Sequence, residues 1–344
     1  MAAVAASNLG VLAYYLGRYG EALSEYEEAR EGFARAGSEA QRAMVSDNIA
    51  ETYLELNLLA ESHDLAEEAA GTFQRLNLPG HRARAELNQA RALLRERPQR
   101  LEAALELLRR ARETLTAQGD PVWTHLAGLD LAGALLPSDP AEALRLADEA
   151  RPFFRGAGLD HYETYARWVR AEALLAAERG PEAAQEFERL VTRAENLNLS
   201  DLAARCRLRL GRLAELRGDR ARARQEYDRA LVWVETTRAS LKADDFRAAF
   251  IEDKQAAFAR SVELTLAAVE AGESTPDELL LRVERWKARI LLDYLAAGEQ
   301  KRTAPGSPAE TPAAGGAGAT AATRALDERR GALREELALL HRRI

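Results

Sequence analysis

The chain holds few groups that could do covalent chemistry. Cys206 is its one cysteine, and the nearest histidine in sequence is His161. A cysteine protease needs a thiolate and a histidine base on one folded catalytic domain. Cys206 instead lies among arginines in an Ala- and Leu-rich segment, where a small helix-packing role suits it. The five histidines, His63, His81, His125, His161 and His341, show no metal-ligand spacing. Gly315, Gly316 and Gly318 sit in an Ala/Pro-rich stretch, without the strand and helix that a phosphate loop needs. The expectation is a chain that is not an enzyme and has no cofactor.

Two residue sets point to binding instead. Asn8, Asn48 and Asn88 recur at forty-residue steps, and the row ends where Gly128, Trp168 and Leu208 follow. An amide both donates and accepts, so a stacked row of amides could clamp the backbone of an extended peptide. The same amides could equally bond the backbone of a neighbouring helix. The second set is the eight arginines from Arg205 to Arg224, set against Glu215 and Asp219. Arg205, Arg209 and Arg212 share one face at helical spacing, and their guanidinium forks suit carboxylates or phosphates. Asp47, Glu51 and Glu55 supply opposite charge far away in sequence, so a bound peptide, acidic near the arginines, would have a preferred direction. A solvated face balanced by nearby acids is the plainer reading of the arginines.

What must position these residues is a repeat. Ala22, Tyr26, Ala29 and Phe33 are followed by Ser62, Ala66, Ala69 and Phe73, then by Ala104, Leu108, Ala111 and Leu115. Ala143, Ala147, Ala150 and Phe154 come next, then Ala183, Phe187, Leu190 and Ala194, then Ala223, Tyr227, Ala230 and Val234. The steps are 40, 42, 39, 40 and 40 residues. Leu9-Gly10 returns as Leu210-Gly211, and the turn Gly17-Arg18-Tyr19-Gly20 is echoed at Gly180 and Gly218. A lone hairpin cannot bury its apolar face, so copies stack and share a core. The expected fold is all-α: a right-handed α-solenoid of about six hairpins over residues 1–240, followed by extra C-terminal helices.

These residues resemble the tetratricopeptide repeat (TPR), with Leu-Gly on helix one, Gly in the turn, and Ala, aromatic, Ala on helix two. The resemblance covers residues 1–240. It implies a protein-interaction scaffold with a concave groove, and kinesin light chains, which have long repeats of this kind, use groove asparagines as Asn8, Asn48 and Asn88 would be used. Arg-Pro-Gln-Arg lengthens one turn and Leu-Pro-Ser-Asp-Pro makes another, so repeats three and four depart from the pattern.

Beyond Val234 the period breaks. Phe246-Arg247-Ala248-Ala249-Phe250, Lys254-Gln255, Phe258, and Glu284 to Asp293 resemble the segment that joins repeats to the protease in bacterial CHAT proteins. That resemblance implies a sensor arm that regulates a caspase-like domain, itself absent here. The sensor arm of a bacterial transcriptional regulator or signalling ATPase is the alternative. Thr275, Pro276 and Glu278 read as a capping box opening a further helix in a region spanning 241–299. Residues 300–323 read as a flexible linker and 324–344 as an amphipathic helix. A net charge of −7 makes nucleic acid an unlikely partner, and neither a signal peptide nor an 18-residue apolar run is present. The expected setting is the cytoplasm, with a protein or peptide partner and no membrane.

Overall fold

A computed structural model describes residues 2–96, 100–241, 246–247, 249–250 and 254–284. The chain divides by contact into Met1–Ala267 and Ala268–Ile344. The first unit holds six helical hairpins: α1 (Ala2–Tyr15) with α2 (Tyr19–Arg35), α3 (Glu39–Glu55) with α4 (Leu59–Arg75), α5 (Pro79–Glu96) with α6 (Leu101–Ala117), α7 (Pro121–Leu135) with α8 (Pro140–Gly156), α9 (Asp160–Ala176) with α10 (Gly180–Asn196), and α11 (Ser200–Leu216) with α12 (Arg220–Ser240). Each helix of the six hairpins packs on its sequence neighbours, and α1, α3, α5 and α7 also touch the next odd helix, as in an all-α solenoid. Among the described residues no strand occurs, and no helix is long and apolar enough to cross a membrane.

The repeat is tighter than its forty-residue step suggests. A residue of positive φ ends helix after helix at Gly17, Gly37, Asn57 and Asn77, and again at Gly158, Glu178, Asn198 and Gly218, each twenty residues on. At the first, the Arg18 N–H donates to the Ala13 carbonyl and the Gly17 N–H to that of Tyr14, both at 2.9 Å. This pair of bonds is a Schellman stop, and φ of 70° at Gly17 suits a residue without Cβ. The residue after each stop then precedes the next helix, so a three-residue turn both ends one helix and starts another. Asp120 and Asp219 cap in that place, accepting from the N–H groups of Trp123 and Arg222 at 3.2 and 3.0 Å.

Small residues let the helices approach. A Cβ on Gly10 would lie 2.5 Å from Tyr26 Cδ1, and one on Gly211 would lie 3.1 Å from Tyr227 Cε1. Ala22, Ala66, Ala104, Ala143, Ala183 and Ala223 are all fully buried, and Phe73, Phe154 and Phe187 fill the spaces between hairpins. Leu9, read from sequence as a space-filler, is instead 52% exposed at the edge of the stack, whereas its counterpart Leu210 is buried. Repeats three and four keep the hairpin form. The shorter α7 is followed by a turn in which Asp139 caps α8 through the Glu142 N–H at 3.0 Å.

The last helix of this unit that is described throughout, α13 (Gln255–Glu270), covers the sixth hairpin up to the unit boundary. Arg260 pairs with Glu215, Ser261 Oγ donates to Asp228 Oδ1 at 3.0 Å, and Leu264 joins the core of Ala214, Ala223 and Tyr227. Phe250 is fully buried against Trp233, and Lys254 donates to the Phe250 carbonyl at 2.8 Å. In the second unit, Thr275 Oγ1 accepts from the Glu278 N–H at 3.2 Å. Half of the capping box is therefore present; the Glu278 carboxylate is bonded by Ser274 Oγ at 2.5 Å. Trp286 to Asp293, the 300–323 linker and the 324–344 helix lie outside the described residues.

Gly10→Leu and Gly211→Leu should each destabilise the protein by about 1–3 kcal/mol or more through overpacking. Thermal or urea unfolding followed by circular dichroism checks this, and unchanged melting of both variants would refute the packing.

Candidate functional site

The odd helices carry charged and amide side chains toward the inside of the solenoid, and these bond from repeat to repeat. Asn88 Nδ2 on α5 donates to Asp47 Oδ1 on α3 at 2.9 Å. Asn88 Oδ1 in turn accepts from Arg91 at 3.0 Å. Arg91 also reaches Asp130 on α7 at 2.8 Å and Glu51 on α3 at 3.4 Å. Arg205 on α11 bonds Glu55 across 150 residues of sequence, with Asp201 at 4.0 Å. Tyr15 and Tyr162 place their hydroxyls 3.1 Å apart across 147 residues. The first two hairpins therefore meet the fifth and sixth, and the inner wall closes on itself. Stacked Tyr165 and Trp168, with ring centroids 5.7 Å apart, belong to the same wall, and the buried Trp168 Nε1 has no hydrogen-bond partner among the described residues.

Burial sets the electrostatics. Desolvation pushes the Asp47 carboxyl up to about 7; the Asn88 bond and the charges of Arg91 and Arg84 pull the other way, and Glu51 adds to the rise. Burial also raises Glu51 and Asp130 against the opposing pull of Arg91. Burial alone would raise Glu55 too, but Arg205, with Arg95, Lys254 and Arg91, holds it low. Glu55 in turn raises Arg205. Glu51, Glu55, Asp130 and Asp201 each have a guanidinium within 4.0 Å. Asp47 has an amide alone among the described residues.

The residues singled out from sequence fare differently. Asn8 is exposed on α1, Asn48 is half-buried on α3 with its amide unbonded among the described residues, and Asn88 is buried and spent on Asp47. The three amides thus stand in three different settings rather than in one free row. The arginines are not an open basic face. Arg205 holds Glu55, Arg209 holds Glu172 at 2.7 Å, and Arg212 holds Glu215 at 3.2 Å. The acidic and basic sets, expected at opposite ends, meet through Glu55 and Arg205, because the closing wall brings α3 beside α11. Cys206 is fully buried, and its thiol is pushed up to about 12 by burial, helped by Glu172 and Asp201, so it is not a nucleophile. Among the described residues no His, Cys, Asp and Glu group could hold a metal ion.

Arg91, Asp130 and the tyrosines were missed from sequence. A signal existed: Glu51, Arg91 and Asp130 follow one another at steps of 40 and 39 residues, alternating in charge along the odd helices.

No protein-family model and no curated protein matches the chain. Solved structures do. A Rap protein complexed with Competence and Sporulation Factor is similar over 77% of this chain and 75% of its own, at 16% identity and a TM-score of 0.54. The apo form of RapI is similar over 87% of this chain and 100% of its own, at 13% identity and a TM-score of 0.51. At such identities the likeness speaks for the fold alone: the chain is an all-α solenoid of TPR-like hairpins.

Proposed function

We propose that the chain is a non-catalytic sensor or scaffold arm that takes a partner segment, an extended peptide, against the inner wall of its solenoid. The observation that carries this reading is Asp47: a carboxylate on that wall with an amide for a partner and no cation within salt-bridge distance among the described residues, next to the unspent amide of Asn48 and to Glu51. A ligand that brings an ammonium or guanidinium group supplies what Asp47 lacks. The acidic ligand that the arginine cluster suggested has no free cation among Arg205, Arg209 and Arg212 to meet it. The likeness to a Rap protein complexed with a factor supports a ligand held by this kind of fold.

Asn48→Ala should weaken peptide binding by a few-fold to about tenfold, the worth of one hydrogen bond of about 0.5–1.5 kcal/mol, and leave melting unchanged. Asp47→Asn should cost more for a Lys- or Arg-bearing peptide, and nothing for a neutral one. Titration calorimetry with peptides selected from a random library reads both, and selection of acidic peptides would overturn the proposal.

The pH dependence has a definite sign. The Asp47 carboxyl holds its proton more tightly in the folded chain, at about 7 against an ordinary 3.8. Stability therefore falls as pH rises from about 4 to about 7 and is level above that range. Asp47→Asn removes this loss, so the variant should gain on the wild type across that window. Binding of a basic peptide favours the ionised carboxylate, so its affinity should rise from pH 6 to pH 8. Affinity that is flat in pH would remove Asp47 from the site.

For the attached effector, we infer a CHAT-type caspase-like domain, from the likeness of residues 246–258 and 284–293 to the joining segment of such proteins. The test is to fuse such a domain behind Ile344 and ask whether an interior-binding peptide changes its proteolysis. The chain alone should cleave no peptide, and Cys206→Ala should change nothing beyond a modest shift in melting. Thiol-dependent proteolysis by the purified chain, lost in that variant, would contradict the non-catalytic reading.

A further inference from the structure

Two polar contacts of long sequence separation help to close the inner wall, where α2 also touches α12. Arg205 on α11 holds Glu55 on α3, and Tyr15 on α1 meets the Tyr162 hydroxyl on α9 at 3.1 Å, with the His161 ring also against Tyr15. These are not core contacts. The Arg205 and Glu55 side chains keep 38% and 22% of their exposure, and Tyr15 keeps 44%. Neighbouring hairpins, by contrast, are joined through fully buried alanines and phenylalanines. The seam, which includes the α2–α12 contact, is thinner than any joint between neighbouring hairpins, so opening it exposes less apolar surface than separating a hairpin from the next. The weak seam of this ring of helices is between its start and its fifth and sixth hairpins.

We propose that the Glu55–Arg205 pair, with the Tyr15–Tyr162 contact, is a latch that gates entry to the inner wall. This rests on the reading of that wall as the binding site. The latch carries its own release. Glu55 lies one helical turn beyond Glu51 on α3, so a ligand cation arriving at Glu51 competes with Arg205 for Glu55. The groups facing Glu55 are Arg205, Arg95, Lys254 and Arg91, and those facing Arg205 are Glu55, Asp201, Tyr19 and Tyr165. A shift of α3 on opening also reaches what lies beyond the sixth hairpin, because Tyr53 on the same helix packs on Phe246 with ring centroids 6.2 Å apart. Occupancy of the wall is thereby coupled to the segment that leads toward the C-terminal residues.

The experiment places cysteines at Tyr15 and Tyr162 in a Cys206→Ala background and joins them with a short bis-maleimide. Cross-linking should be fast when Arg205 is intact and several-fold slower in Arg205→Met, with unchanged helical circular dichroism. A library-selected basic peptide should enter the Arg205→Met protein, its native tyrosines kept, several-fold faster than wild type. It should not enter the cross-linked protein. Equal cross-linking with and without Arg205 would overturn the latch, and equal entry into locked and unlocked proteins would overturn the gate. No peptide uptake by either the wild-type or the Arg205→Met protein would overturn the interior reading and the gate together, while the cross-linking arm still decides whether the ring closes as described.

Discussion

A residue in the left-handed conformation ends nearly every helix of the solenoid, and the rest of the architecture follows from that stop. With Gly or Asn there, two bonds back into the last turn satisfy carbonyls that would otherwise point at nothing. Glu178, at φ 61°, is the exception, being neither Gly nor Asn and lacking the short amide side chain that makes Asn tolerant of this region. Helices of 17 residues joined by three-residue turns make each hairpin nearly equal to the next, so each adds a similar rotation. Equal rotations bring equivalent positions of α3, α5, α7, α9 and α11 onto one wall, and carry the wall round until α3 stands beside α11.

Charges on such a wall are costly unless they are paired, since desolvation penalises each one. The chain meets this with arginine, whose planar fork serves more than one acceptor: Arg91 bonds Asn88, Asp130 and Glu51 together. Lysine, a point charge, is scarce in the chain, which holds four: Lys242, Lys254, Lys287 and Lys301. Against this background of paired acids, the Asp47 carboxyl, with no cation within salt-bridge distance among the described residues, stands apart. The outer ion pairs, such as Arg145 with Glu142 and Glu149, are solvated and contribute little individually.

The hairpins were legible in the sequence because packing repeats in residue type: Ala22 to Ala223 and Tyr26 to Tyr227 mark the same contacts. The twenty-residue stops were legible in principle, since Asn57, Asn77 and Asn198 share a twenty-residue register with glycines, but the forty-residue step of Asn8, Asn48 and Asn88 is the more conspicuous pattern. The closing of the wall was not legible. The Glu55–Arg205 pair depends on the rotation summed over four hairpins, which no local pattern records, so acids and arginines far apart in sequence read as opposite ends of a groove. The same reason hid Asn88, whose partner Asp47 is a repeat away.

The inner wall as the binding surface is tested most directly by a crystal structure of the chain with a peptide chosen from a random library. The expected result is a peptide inside the ring of odd helices, its Lys or Arg side chain within hydrogen-bond distance of the Asp47 carboxylate. A peptide lying on the outer helices, or one whose carboxylate displaces Glu55 from Arg205, would contradict it.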